Sequence, residues 1–268
     1  MYILLILAAI TAINLGKAFG TEKSITGKSE YALAVDVRVS VPSSAFSCMK
    51  KYGYKTVFVR GYDPTGDGKF DSNAVDNIHN ANKAGLGTEV FMTPQPRSDK
   101  KGSQQLVELY EGLKNGDIKV KTIWVQVTSP VNWFPDTKIN IDFLNDILSA
   151  AAHYEVKIGL YTNGYDWSQI TNNAAADKIM LWYWNVMGGG PNGETPADFD
   201  DFRPFAKFTK PTVKQFAQVE TVCEIKVNRD VYMLSQSQSV ASAPGDSKGE
   251  VVVGSLGDGL VPKLMKIV

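Results

Sequence analysis

The chain predicts an α/β fold, an irregular TIM-like (β/α)5(β)3 barrel. Three observations carry this expectation. Five strand-like runs are each followed by a helix-like run, the pattern that gives parallel strands with right-handed crossovers. Three further strand-like runs then follow without convincing helices between them. With a leader and a tail set aside, about 200–215 residues remain, enough for one sizeable core.

The first strand is YALAVDVRVSV (31–41), stopped by Pro42, and SSAFSCMKKYG is a short helix ending at Gly53. KTVFVRGY (55–62) is the second strand. DSNAVDNIHNANKAGLG is the next helix, with Asp and Ser as capping candidates and Gly85 as its stop. TEVFMTP (88–94) is the third strand and SQQLVELYEGLKNG a helix stopped at Gly116. KTIWVQVT (121–128) is the fourth strand, and INIDFLNDILSAAAHY repeats apolar residues at helical spacing. VKIGLYTN is the fifth strand and GYDWSQITNN a short helix. The last three strands are KIMLWYWN (178–185), TVKQFAQ (212–218) and TVCEIKVNRDVYML (221–234). In a barrel, ligands bind at the C-terminal ends of the strands, which gathers Asp36, Gln126 and Thr128 on one face.

The flanks differ in composition. Residues 1–20 begin with a short apolar run and end in small residues, Ala18 and Gly20, as a secretory leader does; the expected localisation is secreted and extracellular. Residues 21–234 form the barrel domain. Residues 235–268 start as a Ser/Gln/Gly/Pro-rich linker and end in an apolar run that could be a strand or a docking segment. Formal net charge is zero and no basic run interleaves with aromatics, so no nucleic-acid partner is expected. No membrane association after leader removal, and a monomer, are the remaining expectations.

Cys48 and Cys223 are the only cysteines. They pair if the first and last segments of the fold lie side by side, as barrel closure requires; otherwise they are two buried thiols. In the chain-entropy treatment so long a loop is worth of order 5 kcal/mol. Neither cysteine has a CxxC partner or a histidine cluster, so no metal site and no cofactor is expected. The run DPTGDGKFDSNA (63–74) imitates a calcium loop through Asp63, Thr65, Asp67, Gly68 and Asp71. It carries Ala74 where a bidentate Glu is required, and reads as a surface loop. His79 and His153 lie on helices, away from any strand end or nucleophile.

Several aromatic residues fall at or just beyond strand ends, among them Trp124, Trp133, Tyr161, Trp182 and Trp184. Core packing accounts for some of these. LWYW cannot hide every ring on one strand face, so some are expected to line a groove, where flat rings suit the C–H faces of sugars. Asp36 interrupts an apolar strand, so it either meets a partner or sits at a polar mouth.

The runs AVDVRVSV, IWVQVT…W, IGLYTNGYDW, LWYWN and KPTVKQFAQVETVCEIKVNRDVY, taken in order, resemble the lysozymes of glycoside hydrolase family 25, closest to an invertebrate branch. The resemblance runs from about residue 31 to 232. It implies an irregular β/α barrel, secretion, and muramidase action on bacterial cell-wall peptidoglycan in antibacterial defence. The family's first-strand Asp matches Asp36. Its fourth-strand Asp-x-Glu, whose Glu is the essential acid/base, is replaced by Gln126 and Thr128. Its late Val-Asp-x-Asn reads Val227, Asn228, Arg229, Asp230, so carboxylate and amide have exchanged places.

Glycoside cleavage needs a proton donor on the leaving oxygen and a carboxylate to support the cationic centre. A threonine hydroxyl does not exchange protons near neutral pH, and a glutamine carries no charge. Asp36 and Asp230, on strands that become neighbours when a barrel closes, are the candidate catalytic carboxylates. Gln126, Thr128, Tyr161, Trp182, Trp184 and Asn228 are the candidate substrate-binding residues. Two functions follow: a peptidoglycan hydrolase working through Asp36 with Asp230, or a catalytically weakened, lectin-like glycan binder or regulatory defence protein. The Gln126/Thr128 pair favours the second.

Overall fold

The computed structural model describes residues 31–234, 250–257 and 266–268; the expected leader and most of the tail lie outside them. β1 (Tyr31–Val37) leads through α1 (Ser43–Lys51) to β2 (Tyr54–Asp63), which carries a two-residue hairpin partner, β3 (Lys69–Phe70). Then come α2 (Ala74–Lys83), β4 (Gly87–Met92), α3 (Gly102–Lys114), the short β5 (Ile118–Val120) and β6 (Thr122–Gln126). α4 (Thr137–His153), β7 (Lys157–Thr162) and α5 (Gly164–Thr171) follow. The sequence places the start of α4 two residues late: Asp136, whose carboxylate accepts from the Lys138 amide, caps the helix. The last elements are β8 (Met180–Trp184), β9 (Val213–Val222), β10 (Ile225–Met233) and β11 (Val251–Val253).

Eight strands close into a barrel in the order β1, β10, β9, β8, β7, β6, β4, β2 and back to β1. All neighbours are parallel except β10, which runs against both β9 and β1. The sequence reads 221–234 as one strand. The structure instead turns at Cys223 and Glu224, both at positive φ (51° and 68°), so 221–222 end β9 and β10 begins at Ile225. The turn lacks the Asn-Gly or Asp-Gly pair that announces a two-residue hairpin. Cys223 is disulfide-bonded to Cys48 of α1, with Cα atoms 6.0 Å apart, so the turn is tied to the first helix.

Side chains alternate along each strand. On β6, Ile123 and Val125 face the helices, while Trp124 and Gln126 face the barrel interior. An eight-stranded barrel has room for side chains and little else, and here Phe58, Phe91, Trp124, Tyr161, Trp182 and Tyr232 fill it. Trp182 stacks on Tyr161 with centroids 4.2 Å apart and meets Phe58 at 4.4 Å. Such pairs contribute about 0.5–1.5 kcal/mol each beyond burial. Gly159 stands opposite Trp124 in the β6–β7 register, and any Cβ there would collide with the indole. The helices cover the outside through a larger apolar layer.

The tail residues that are described pack against the barrel. β11 pairs in parallel with β5, and Leu256 joins the interior aromatic cluster from the end opposite the strand C-termini. Its amide donates to Glu89 Oε1, whose Oε2 accepts from Trp124 Nε1. Among the described residues no helix is long and apolar enough to cross a membrane.

Candidate functional site

β1 delivers Asp36 to the barrel mouth in an almost fully buried position. Gln215 Nε2, from β9, donates to its Oδ2 at 2.6 Å, and Asn228 Nδ2, from β10, donates to its Oδ1 at 2.9 Å. The Arg38 Nε lies 3.9 Å from Oδ1. Burial pushes the Asp36 carboxyl above its ordinary range, and Arg38, Asn228 and Gln215 pull it part of the way back. Gln215 is also held by the Tyr161 hydroxyl, which donates to its Oε1 at 2.8 Å.

Asp230 lies one step deeper. β10 is antiparallel to β1, with Asn228 opposite Asp36 and Asp230 opposite Ala34. Asp230 therefore shares the inward face with Asp36 but is its diagonal neighbour, a relation that spans about 7–8 Å between backbone positions. Its Oδ1 accepts from Trp182 Nε1 at 2.9 Å, and its Oδ2 has no partner among the described residues. Burial first, and then the nearby charge of Asp36, raise its carboxyl well above the usual range. The two candidate carboxylates are thus brought together, but both are enclosed.

A cavity of about 570 Å³ opens beside them, over the ends of β2, β4 and β6. Gln126 and Thr128 line it, with Arg38, Arg60, Arg97, Thr93 and Trp133. The Thr93 hydroxyl donates to Gln126 Oε1 at 2.7 Å, and Gln126 Nε2 donates to Thr128 Oγ1 at 2.9 Å. Among the described lining residues Asp67 is the only carboxylate; neither Asp36 nor Asp230 reaches this wall.

The aromatic expectation needs correction. Tyr161 and Trp182 do not line a groove: both are buried in the barrel, because a closed barrel must fill its own interior. Trp184 is half-buried, its Nε1 donating to Asp166 Oδ2 at 3.1 Å. Asn228 braces Asp36 on one side and accepts the Val219 amide on the other. Asp63 and Asp71, from the run that imitates a calcium loop, both pair with Arg60. Among the described residues no cluster of acidic, histidine or cysteine side chains could hold a metal ion.

Sequence reasoning missed Gln215, the hub between Asp36 and Tyr161, and Thr93, which fixes the Gln126 amide. It also missed Asp166, a buried carboxyl that accepts the Ser129 amide just past Thr128 and is raised by its burial. The available signal for Gln215 was its place in the β-strand run VKQFA, where a buried amide demands partners.

The family model for Lysozyme-like protein 1 matches residues 27–216. The chain belongs to this lysozyme-like family. Lysozyme-like protein 2 of Caenorhabditis elegans is 54% identical over 201 residues, 74% of this chain and 72% of the relative. Lysozyme-like protein 1 of the same organism is 49% identical over 232 residues, 86% of this chain and 78% of the relative. The fold is that of the solved family 25 lysozyme from Aspergillus fumigatus: TM-score 0.61 and 17% identity, covering 80% of this chain and all of that one. The chain is thus a lysozyme-like protein with the fold of a family 25 lysozyme, in line with the resemblance read from the sequence.

Proposed function

We propose that this protein is a secreted, peptidoglycan-directed lysozyme-like protein of innate antibacterial defence that binds cell-wall glycan at the barrel mouth and cuts it poorly or not at all. In this reading the scaffold is an irregular TIM-like (β/α)5(β)3 barrel that works as a monomer, and its ligand is bacterial cell-wall glycan. One observation carries the proposal: Gln126 and Thr128 form the cavity wall where a hydrolase of this family needs a proton donor, and they are bonded to one another as amide and hydroxyl. General acid–base catalysis is typically worth about 10²–10⁴-fold, and neither side chain supplies it. Family membership supports peptidoglycan as the target.

A second reading is residual hydrolysis through Asp36 and Asp230. It is favoured by the Asp230 carboxyl, which burial raises in the direction a general acid requires. Enclosure of both groups weighs against it, because a donor must come within hydrogen-bond reach of the glycosidic oxygen. Co-sedimentation with insoluble peptidoglycan tests the proposal. Retention in the pellet, competed by soluble cell-wall glycan, is expected; a protein left wholly in the supernatant would refute it.

A further inference from the structure

We propose that residues 250–257 are a strap that fills a split seam between β4 and β6 in the barrel floor, and that cutting its tether to β10 releases the strap and loosens that seam. The split is visible in the strand register. β4 and β6 pair through Phe91 with Trp124 and Met92 with Val125, whereas β6 pairs with β7 through five residues. Continued toward the floor, the register would set Glu89 beside Thr122. Gly254 lies there instead: its amide donates to the Thr88 carbonyl at 3.0 Å, and its carbonyl accepts the Thr122 hydroxyl at 2.9 Å. One residue earlier, the Val253 carbonyl accepts the Lys121 amide at 2.9 Å. The strap stands in for ladder bonds that the two strands do not make with each other.

The fit is specific to this segment. Gly254 has φ +90°, and a Cβ there would collide with the Thr122 backbone, so only glycine seats in the gap. Leu256 is almost fully buried against the interior aromatic cluster. Its amide and Trp124 Nε1 donate to the two oxygens of Glu89, itself fully buried. Losing the strap takes a hydrogen bond from this carboxyl group, from the Thr88 carbonyl and from the Lys121 amide, a costly change for buried polar groups. The chain end supplies a second anchor: the Asn145 side chain on α4 donates to the Ile267 carbonyl and accepts the Ile267 amide, both at 2.9 Å. A covalent tether makes seating an intramolecular step, so a strap of modest affinity stays in place; once cut, it leaves on dilution.

The test uses the full mature chain with a specific protease site inserted between Leu234 and Ser235. After cutting and gel filtration at low concentration, the melting temperature is expected to fall by roughly 5–10 °C. Amide hydrogen exchange should quicken in β4 and β6 while β1 and β10 keep their protection. A synthetic peptide of residues 249–268, added in excess, should restore both properties; the same peptide carrying Gly254→Val should restore neither. Full-length, uncut Gly254→Val is expected to show the same local loss of protection, which keeps the test independent of how the cut protein behaves. Cut protein freed of its fragment yet matching the uncut melting and exchange would overturn the proposal. So would exchange that quickens equally in every strand, or rescue by the Gly254→Val peptide. A fragment that stays bound through dilution would overturn the part assigned to the tether. None of these outcomes depends on glycan binding.

Discussion

Asn228 stands directly opposite Asp36 in the antiparallel pairing of β10 with β1, and its amide donates to Asp36 Oδ1 at 2.9 Å. An amide at this level neutralises a position where a second carboxylate would face the first. Replacing it with a carboxylate, Asn228→Asp, keeps an acceptor for the Val219 amide but removes the donor to Asp36 and adds a like charge. A loss of about 1–3 kcal/mol near neutral pH is expected. The loss should narrow in acid, where the two groups share a proton. Urea denaturation at both pH values measures it.

Asp230 makes stability depend on pH in an unusual direction. Its folded carboxyl is raised well above 3.8, by burial and then by Asp36. The native state therefore holds a proton that the unfolded chain releases, so stability is fully present below the ordinary carboxylate range and declines as pH rises through the raised value. Asp230→Asn keeps an acceptor for Trp182 Nε1 and removes the titration. It is expected to flatten that decline and to raise stability near neutral pH. Thermal melts across the acid-to-neutral range would show the change in slope.

The Cys48–Cys223 bond closes a loop with a sequence separation of 175 and ties α1 to the β9–β10 turn, beside the seam where β10 meets β1. Replacing both cysteines with serine is expected to lower unfolding stability by about 2–5 kcal/mol. Guanidinium unfolding of the double variant and of reduced wild type, each compared with the oxidised protein, checks this. A variant as stable as the oxidised protein would show that the barrel closes without the staple.

Placing acids at positions 126 and 128 tests the chemistry of the cavity wall. Gln126→Asp with Thr128→Glu is expected to raise muropeptide release above the wild-type level, because an acid then stands where the glycosidic oxygen can reach it. The Thr93 hydroxyl can still donate to Asp at position 126. A folded double variant with no gain would show that the rest of the cavity no longer holds substrate in a reactive pose.

Much of this was legible in the sequence because strand and helix periods differ. The alternation of Val125, Gln126, Val127 and Thr128 was enough to put Gln126 and Thr128 on one inward face. The exchange of Asn228 with Asp230 was legible too. Its consequence was not: only the reversal of β10 reveals that Asp230 sits deeper than Asp36, and a strand's direction is set by a hairpin whose turn, Cys223–Glu224, carries no glycine or asparagine. Tyr161 and Trp182 misled for a related reason. An inward ring reads the same in sequence whether it floors a groove or packs a closed interior, and closure is a property of all eight strands at once. Gln215 and Thr93 escaped because their roles are long-range: Gln215 reaches Asp36 across 179 positions.

The central claim is that this barrel mouth holds glycan without a group able to protonate the bond. Incubating the purified protein with insoluble peptidoglycan and quantifying soluble muropeptides tests it most directly. Protein in the pellet with little or no muropeptide release above a buffer blank is the expected result. Release at a rate comparable to an active family 25 lysozyme, abolished by Asp230→Asn or by Asp36→Asn, would contradict it and hand the chemistry to the enclosed pair.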